Sequence, residues 1–284
     1  MANPILTQII IYPVKSMAGV DVEQANLTAT GLEYDRRWMM VDGKSRFISQ
    51  RLYPQLALIS VSLDDQTIQL TTPSNSQLEL PLQLNMGDST EVRVWNDQVT
   101  ALQAATNYNQ WISDYLQIPV RFIYMPDDCF RPIDENYRLS NDNQVSFADG
   151  FPYLLISEPS LDDLNARLIS QNLSTVEMSR FRPNLVVSAT GAYEEDHWRE
   201  IRIHDQDFQV VKPCSRCIMT TVDANTGTKG SEPFQTLKNY RGRQNKAYFG
   251  QNLIHQPSRS ANANLQVGQA VTVIRQSSTS NLPS

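Results

Sequence analysis

From Leu56 to Ala101 the sequence is broken into short apolar runs, Leu56 to Leu63, Thr67 to Thr72, Leu78 to Leu84, Glu91 to Trp95 and Gln98 to Ala101. Turn-forming clusters such as Pro73-Ser74-Asn75-Ser76 and Trp95-Asn96-Asp97-Gln98 separate them. Alternating segments of this length, cut by turn signals, predict a meandering, mostly antiparallel sheet. Pro81 has no N–H to give to a ladder, which puts its segment at an edge. One helix is expected over Asn107 to Leu116, where Trp111 and Tyr115 stand four residues apart and Ile118-Pro119 closes the run.

The same pattern extends outward. Ile5 to Tyr12 reads as a strand ended by Pro13, and Glu33 to Ile48 as two strands around an Asp42-Gly43 turn, the dipeptide a two-residue hairpin favours. The near-continuous apolar run Tyr153-Leu154-Leu155-Ile156-Ser157 predicts a buried strand, with Ser157 capping a helix that carries Leu161, Leu164 and Leu168 on one face. Further strands are expected at Leu185 to Ser188, Glu200 to Ile203, Asp207 to Val211, Tyr248 to Asn252 and Asn264 to Arg275, and a short helix at Glu232 to Tyr240. The class is α+β and β-rich. With 284 residues two units are expected, and the unperiodic stretch Met125-Pro126-Asp127-Asp128-Cys129-Phe130-Arg131-Pro132 divides them into 1–125 and 126–275. The serine-rich residues 276–284 have no apolar period and are expected to form a loose tail.

A net charge of −6 argues against a general polyanion-binding surface, so nucleic acid is not an expected partner. Ile5 to Tyr12 is too short to span a bilayer and lacks a basic start and a cleavage site, so no membrane segment is expected. Three cysteines, two of them close together, point to a reducing compartment, the cytoplasm.

Those two cysteines sit in Lys212-Pro213-Cys214-Ser215-Arg216-Cys217-Ile218-Met219-Thr220-Thr221-Val222-Asp223. Lys212 and Arg216 supply positive charge of the kind that favours a thiolate. Because Ile218 to Val222 favours a strand, the thiols are expected on a turn entering a sheet, facing a cleft. Structural zinc needs four ligands, and the chain adds only Cys129 and the isolated His197, His204 and His255. A thioredoxin-like dithiol would precede a helix rather than a β-branched run. What remains is a single thiolate, acting as a nucleophile or as one protein ligand to a soft metal whose other ligands come from a cofactor.

Lys15 and Ser16, on an expected loop between Pro13 and Gly19, can hold a phosphate, although such pairs also occur as plain solvated surface. Arg36 and Arg37 are expected on opposite faces of a strand, so that one can enter a pocket, or else both pair with Asp35 and Glu33. Pro183 is expected to keep Arg182 extended at a strand entrance, where Arg182 and Asn184 face a ligand or serve a turn. Gly250 marks close backbone approach to a ligand, or a bulge.

Taken in order, Tyr12-Pro13-Val14-Lys15-Ser16, Asp35-Arg36-Arg37-Trp38, Phe181-Arg182-Pro183-Asn184, Pro213-Cys214-Ser215-Arg216-Cys217 with Thr220-Thr221-Val222-Asp223 and Thr226-Gly227, and Phe249-Gly250-Gln251 resemble the signature of MOSC-domain proteins. The branch is that of the mitochondrial amidoxime reducing component and its bacterial relatives, and the resemblance covers nearly the whole chain. It implies a MOSC N-terminal-like β domain over 1–125 and a MOSC β-barrel over 126–275, with a molybdenum cofactor (Mo-molybdopterin) between them. It also implies Cys217 as metal ligand and catalytic residue, and Lys15, Ser16, Arg36, Arg182, Asn184, Ser215, Arg216 and Asn252 as cofactor contacts. The implied reaction is reduction of N-hydroxylated compounds such as amidoximes, hydroxylamines and N-hydroxylated base analogues. Some relatives carry a two-iron ferredoxin domain, which needs four cysteine ligands. Three cysteines cannot supply them, so electrons are expected from a separate ferredoxin-like or cytochrome-b5-like donor with its reductase. A persulfide sulfur carrier and a cofactor-binding or transfer protein are the alternative roles.

Overall fold

The computed structural model describes residues 4–188, 191–256 and 263–283. Its largest sheet has nine strands. Along its path lie Val271–Gln276, Trp198–Ile203, Gln206–Arg216, Lys246–His255, Tyr153–Ser157, Leu185–Ser188, Ile5–Ile11 and Val20–Val22, with Gly242–Arg243 paired off the path to Lys246–His255. Tyr153–Ser157 and Leu185–Ser188 run parallel, and the helix Glu158–Ser170 lies between them in the chain. A parallel pair needs such a crossover. Every residue of Tyr153–Ser157 is buried, as its unbroken apolar run predicts. Ser157 caps the helix as expected, accepting from the Ser160 N–H, and Leu164 and Leu168 face the core.

The barrel expected for the second unit is an open path, and no strand ladder closes it among the described residues. Single hydrogen bonds do bring its ends together: Leu6 N–H donates to Gln269 O at 2.9 Å and Gly268 N–H to Leu6 O at 2.8 Å. The first strand therefore contributes Leu6, Ile9 and Ile11 to a core shared with Tyr153, Leu185, Phe208 and Leu253.

The N-terminal region forms its own core on two smaller sheets. Trp38–Val41, Arg121–Tyr124, Asp97–Gln103 and Asp88–Val94 make one, and Ser60–Leu63, Thr67–Thr71 and Gln77–Pro81 the other. Alternation does what it should: Ile68 and Leu70 point inward along Thr67–Thr71. Pro81 ends an edge strand, and the predicted helix spans Thr106–Leu116, burying Ile112 and Leu116.

Three local expectations change. Asp42-Gly43 does not make a two-residue hairpin. The Asp42 carboxylate accepts from the N–H groups of Lys44 and Arg46, and Ser45 takes φ 57°, giving a longer turn. The close approach at Gly250, where φ is +81°, is to protein: a Cβ there would meet the Ile156 side chain at 2.6 Å and Leu155 O at 2.9 Å. Residues 277–283 run back over 196–199, with Ser277 N–H on His197 O at 2.8 Å and Asn281 N–H on Asp196 O at 2.7 Å.

Candidate functional site

The N-terminal and C-terminal regions meet at a cavity of about 110 Å³. Of the sequence-predicted residues, Lys15, Ser16, Arg36, Arg182, Asn184, Arg216 and Asn252 line it, together with Cys214. Cys217 and Ser215 do not.

Lys15 and Ser16 were expected on an exposed loop but are 6% and 4% exposed. The cause is on either side of them: Val14 and Met17 are fully buried in the N-terminal core, and Lys15 N–H donates to Trp38 O at 2.8 Å. The Lys15 ammonium so fixed donates to Phe147 O at 2.7 Å and to the Asp149 carboxylate at 2.6 Å. Burial pushes the Lys15 ammonium down to about 8 in spite of Asp149. The Asp149 side chain is 59% exposed and also accepts from the Trp95 indole N–H at 3.2 Å. Desolvation pushes its carboxyl up, but the adjoining ammonium prevails and holds it well below the usual carboxylate range.

Arg36 precedes the strand Trp38–Val41 and lies in a turn, with φ 50°. Arg36 and Arg37 do diverge, as expected, but because of that turn. Arg37 leaves the site to donate to Met125 O and Asp127, whereas Arg36 donates to Asp35 at 2.6 Å and to Asn184 Oδ1 at 3.2 Å. Burial would lower the Arg36 guanidinium, and the Asp35 carboxylate raises it instead. Arg182 is left-handed, φ 55° and ψ 48°, where Pro183 was expected to keep it extended. It closes the short helical turn Met178–Phe181, and its Nη1 donates to Met17 O at 2.5 Å across to the other region. Burial lowers its guanidinium to about 10. Ser16, Arg36 and Arg182 thus share a backbone region that non-glycine residues seldom occupy, with Ser16 at φ 71°, and such strain gathers at functional sites.

Tyr12 stands between the two arginines, its ring 4.4 Å from the Arg36 guanidinium carbon and 4.1 Å from that of Arg182. Burial, opposed by both cations, pushes its phenol up to about 12. Asn184, 1% exposed, is fully used: its side chain donates to Ile10 O and accepts from Leu154 N–H and Arg36.

The cysteine run departs from expectation in a consistent way. The strand Gln206–Arg216 continues through Pro213 and Cys214, with a register shift between Pro213 and Ser215 absorbing the proline. The run Ile218–Thr221 is a helical turn capped by Cys217 instead of a strand. Cys214 is half-buried against the apolar cluster that includes Phe181 and Phe249, and its sulfur accepts from Arg216 Nη1 at 2.9 Å. Arg216 Nη2 donates to Phe181 O at 2.7 Å, while its buried Nε has no partner. Cys217 is half-buried at the strand's end, two residues before the cavity-lining Met219, and Ser215 is exposed. All three cysteines are free. Among the described residues no group of three or more His, Cys, Asp or Glu side chains is placed to hold a metal alone.

Asp149, Trp95, Phe47 and Arg51 belong to the site and were not singled out in the sequence. Trp95 reads locally as a turn residue and Asp149 as the head of a strand, and only the tertiary pairing joins them.

The donor set fits an anionic, sulfur-bearing cofactor. Cations from both regions surround one cavity, a soft thiol lies on its wall, and the orphaned Arg216 Nε is a buried donor awaiting an acceptor. Small-molecule sites commonly occupy roughly 300–1,000 Å³. At about 110 Å³ this cavity would hold only part of such a ligand.

The chain matches the MOSC N-terminal beta barrel domain over residues 3–119 and the MOSC domain over residues 142–272. It is 34% identical over 245 residues to mitochondrial amidoxime-reducing component 1 of Mus musculus, covering 83% of this chain and 71% of that one. To the Homo sapiens protein of the same name it is 35% identical over 254 residues, with 83% and 72% covered. A molybdenum cofactor sulfurase of Oryza sativa subsp. japonica is 32% identical over 261 residues, 86% of this chain but 32% of the sulfurase. The two domain matches fall on the two regions that form the cavity, and with these relatives they make the chain a member of the MOSC-domain family of the amidoxime-reducing component type.

Proposed function

We propose that this protein is a molybdenum-cofactor-dependent reductase of N-hydroxylated compounds. The observation that carries the reading is convergence: seven side chains predicted to contact the cofactor, drawn from both domains, line one cavity with the Cys214 thiol, and Cys217 directly follows the same strand. Lys15, Arg36, Arg182 and Arg216 would hold the cofactor's phosphate and pterin, Ser16 and Asn252 would add polar contacts, and Asn184 would hold Arg36 in place. Cys217 would be the protein's thiolate ligand to the metal. When bound, the cofactor supplies two-electron oxygen-atom chemistry, and the protein orients substrate and governs solvent access. The net change, R–NHOH + 2 e⁻ + 2 H⁺ → R–NH₂ + H₂O, takes two electrons from a donor, and the three cysteines of this sequence fall short of the four thiolates of a ferredoxin cluster. A small ferredoxin-like or cytochrome-b5-like carrier with its reductase fits that role, and the cytoplasm fits the free thiols.

The test is protein made in a host that synthesises the cofactor, assayed for molybdenum, for pterin and for reduction of benzamidoxime with a chemically reduced mediator. Stoichiometric molybdenum with turnover supports the reading, and cofactor-loaded protein without turnover rejects it. The contact between Arg216 and the Cys214 sulfur favours one second reading, a persulfide carrier whose sulfur rests beside a cation. Persulfide on metal-free protein would support that role.

A further inference from the structure

Tyr12 is 2% exposed, and the structure uses its ring rather than its hydroxyl. The buried phenol oxygen has no hydrogen-bond partner among the described residues, whereas the Arg36 and Arg182 guanidinium groups both lie over the ring. Several contacts fix the ring in place. Tyr12 N–H donates to Asp35 Oδ1 at 2.8 Å, the other oxygen of the same carboxylate accepts from Arg36 Nη1, and Arg36 N–H donates back to Tyr12 O at 2.8 Å. Ile10 and Val186 pack with Tyr12. Gly19 leaves room for the ring's edge, since a Cβ there would meet Tyr12 Cε1 at 2.6 Å.

This arrangement answers an electrostatic problem. An anion site needs its cations close together, and in a buried place like charges repel with little screening. Asp35 compensates Arg36, but among the described residues Arg182 forms no ion pair. Burial and the adjacent Arg36 both disfavour the Arg182 charge, with Asp35 and Asp149 opposing them. An aromatic face attracts a cation through its quadrupole, most strongly where water is excluded. Unlike a carboxylate, it carries no charge to repel an incoming anion and accepts none of the guanidinium N–H bonds that the anion would use.

We propose that Tyr12 is a positioning residue, whose π ring holds Arg182 beside Arg36 in the cavity without adding a carboxylate there. The inference rests on the cofactor reading only for the identity of the anion, because the ring's hold on the cations is measured without one.

The experiment uses cofactor-free, full-length protein, with urea unfolding for the hold and calorimetric titration of pyrophosphate for its use. Tyr12→Leu should weaken pyrophosphate binding about tenfold. Tyr12→Phe, which keeps the ring and drops only the unpartnered hydroxyl, should retain most of the affinity and lose no stability. Gly19→Ala, which removes no polar group, should displace the ring and reproduce part of the loss. In a double-mutant cycle, Tyr12→Leu with Arg182→Met should shift the unfolding constant less than the product of the single shifts, by about fivefold or more, whereas plain packing gives the product itself. An additive cycle, or a Tyr12→Phe variant that binds pyrophosphate as weakly as Tyr12→Leu, would overturn the assignment. Should Tyr12→Leu not fold, loss of affinity in Tyr12→Phe or full affinity in Gly19→Ala overturns it equally. A coupled cycle in a protein that binds no pyrophosphate would reject the anion reading of the cavity and still uphold the ring's hold on Arg182.

Discussion

The Lys15 ammonium and the Asp149 carboxylate meet at 2.6 Å across the boundary between the two domains, inside the cavity lined by Arg36, Arg182 and Arg216. An anion entering that cavity competes with Asp149 for Lys15. Asp149→Asn should therefore raise the affinity of cofactor-free protein for pyrophosphate about fivefold to tenfold, or about 1–1.4 kcal/mol. Calorimetry reads the change, and weaker binding in the variant would show that Asp149 instead prepares Lys15 for the anion.

The same pair sets a pH dependence. Lys15 titrates at about 8 in the folded chain, below its ordinary value of 10.5. Its positive charge is present at pH 7 and is lost as pH rises through 8, so pyrophosphate affinity should fall over that interval. Asp149 raises the Lys15 value, and its removal in Asp149→Asn should move the decline to lower pH. Titrations from pH 6 to 9 test both signs, and an affinity flat across pH 8 would remove Lys15 from the anion site.

The two cysteines should separate in their effects. Cys217→Ser should abolish N-hydroxylated-substrate reduction and release most of the molybdenum, while Cys214→Ser, which loses the contact to Arg216, should reduce activity without emptying the site. Metal analysis beside activity distinguishes them. Molybdenum kept in Cys217→Ser and lost in Cys214→Ser would reverse the assignment.

Asn184 should matter for folding as much as for ligand. Asn184→Ala would leave Ile10 O, Leu154 N–H and Arg36 without their side-chain partner in a buried place. The expected cost is about 2–4 kcal/mol, read from urea unfolding, and a change below 0.5 kcal/mol would show that water replaces the amide.

Much of the fold was legible because its signals are local. The helix Thr106–Leu116, the strand Tyr153–Ser157 with its Ser157 cap and the edge position of Pro81 each follow from a few neighbouring residues. Gathering of the predicted cations at one cavity was legible only through family resemblance, since Lys15, Arg36 and Arg182 carry no mutual sequence period. What escaped the sequence depends on distant partners. The strand reads as Asp207 to Val211, but a shifted register opposite Lys246–His255 lets it run on through Pro213 and Cys214. Arg182 reads as extended before Pro183, but its bond to Met17 O accompanies the left-handed form. Lys15 reads as solvated because nothing near it announces Asp149.

The first strand, Ile5–Ile11, lies in the sheet of the second domain, against Leu185–Ser188. One edge of this strand pairs at once with the nearby Val20–Val22, but its other edge must wait for Leu185–Ser188, which is made much later. Pairings so remote slow folding and leave edges open meanwhile. Splitting the gene between its two sequence domains would leave one fragment with a strand open along one edge and the other with a gap where that strand belongs.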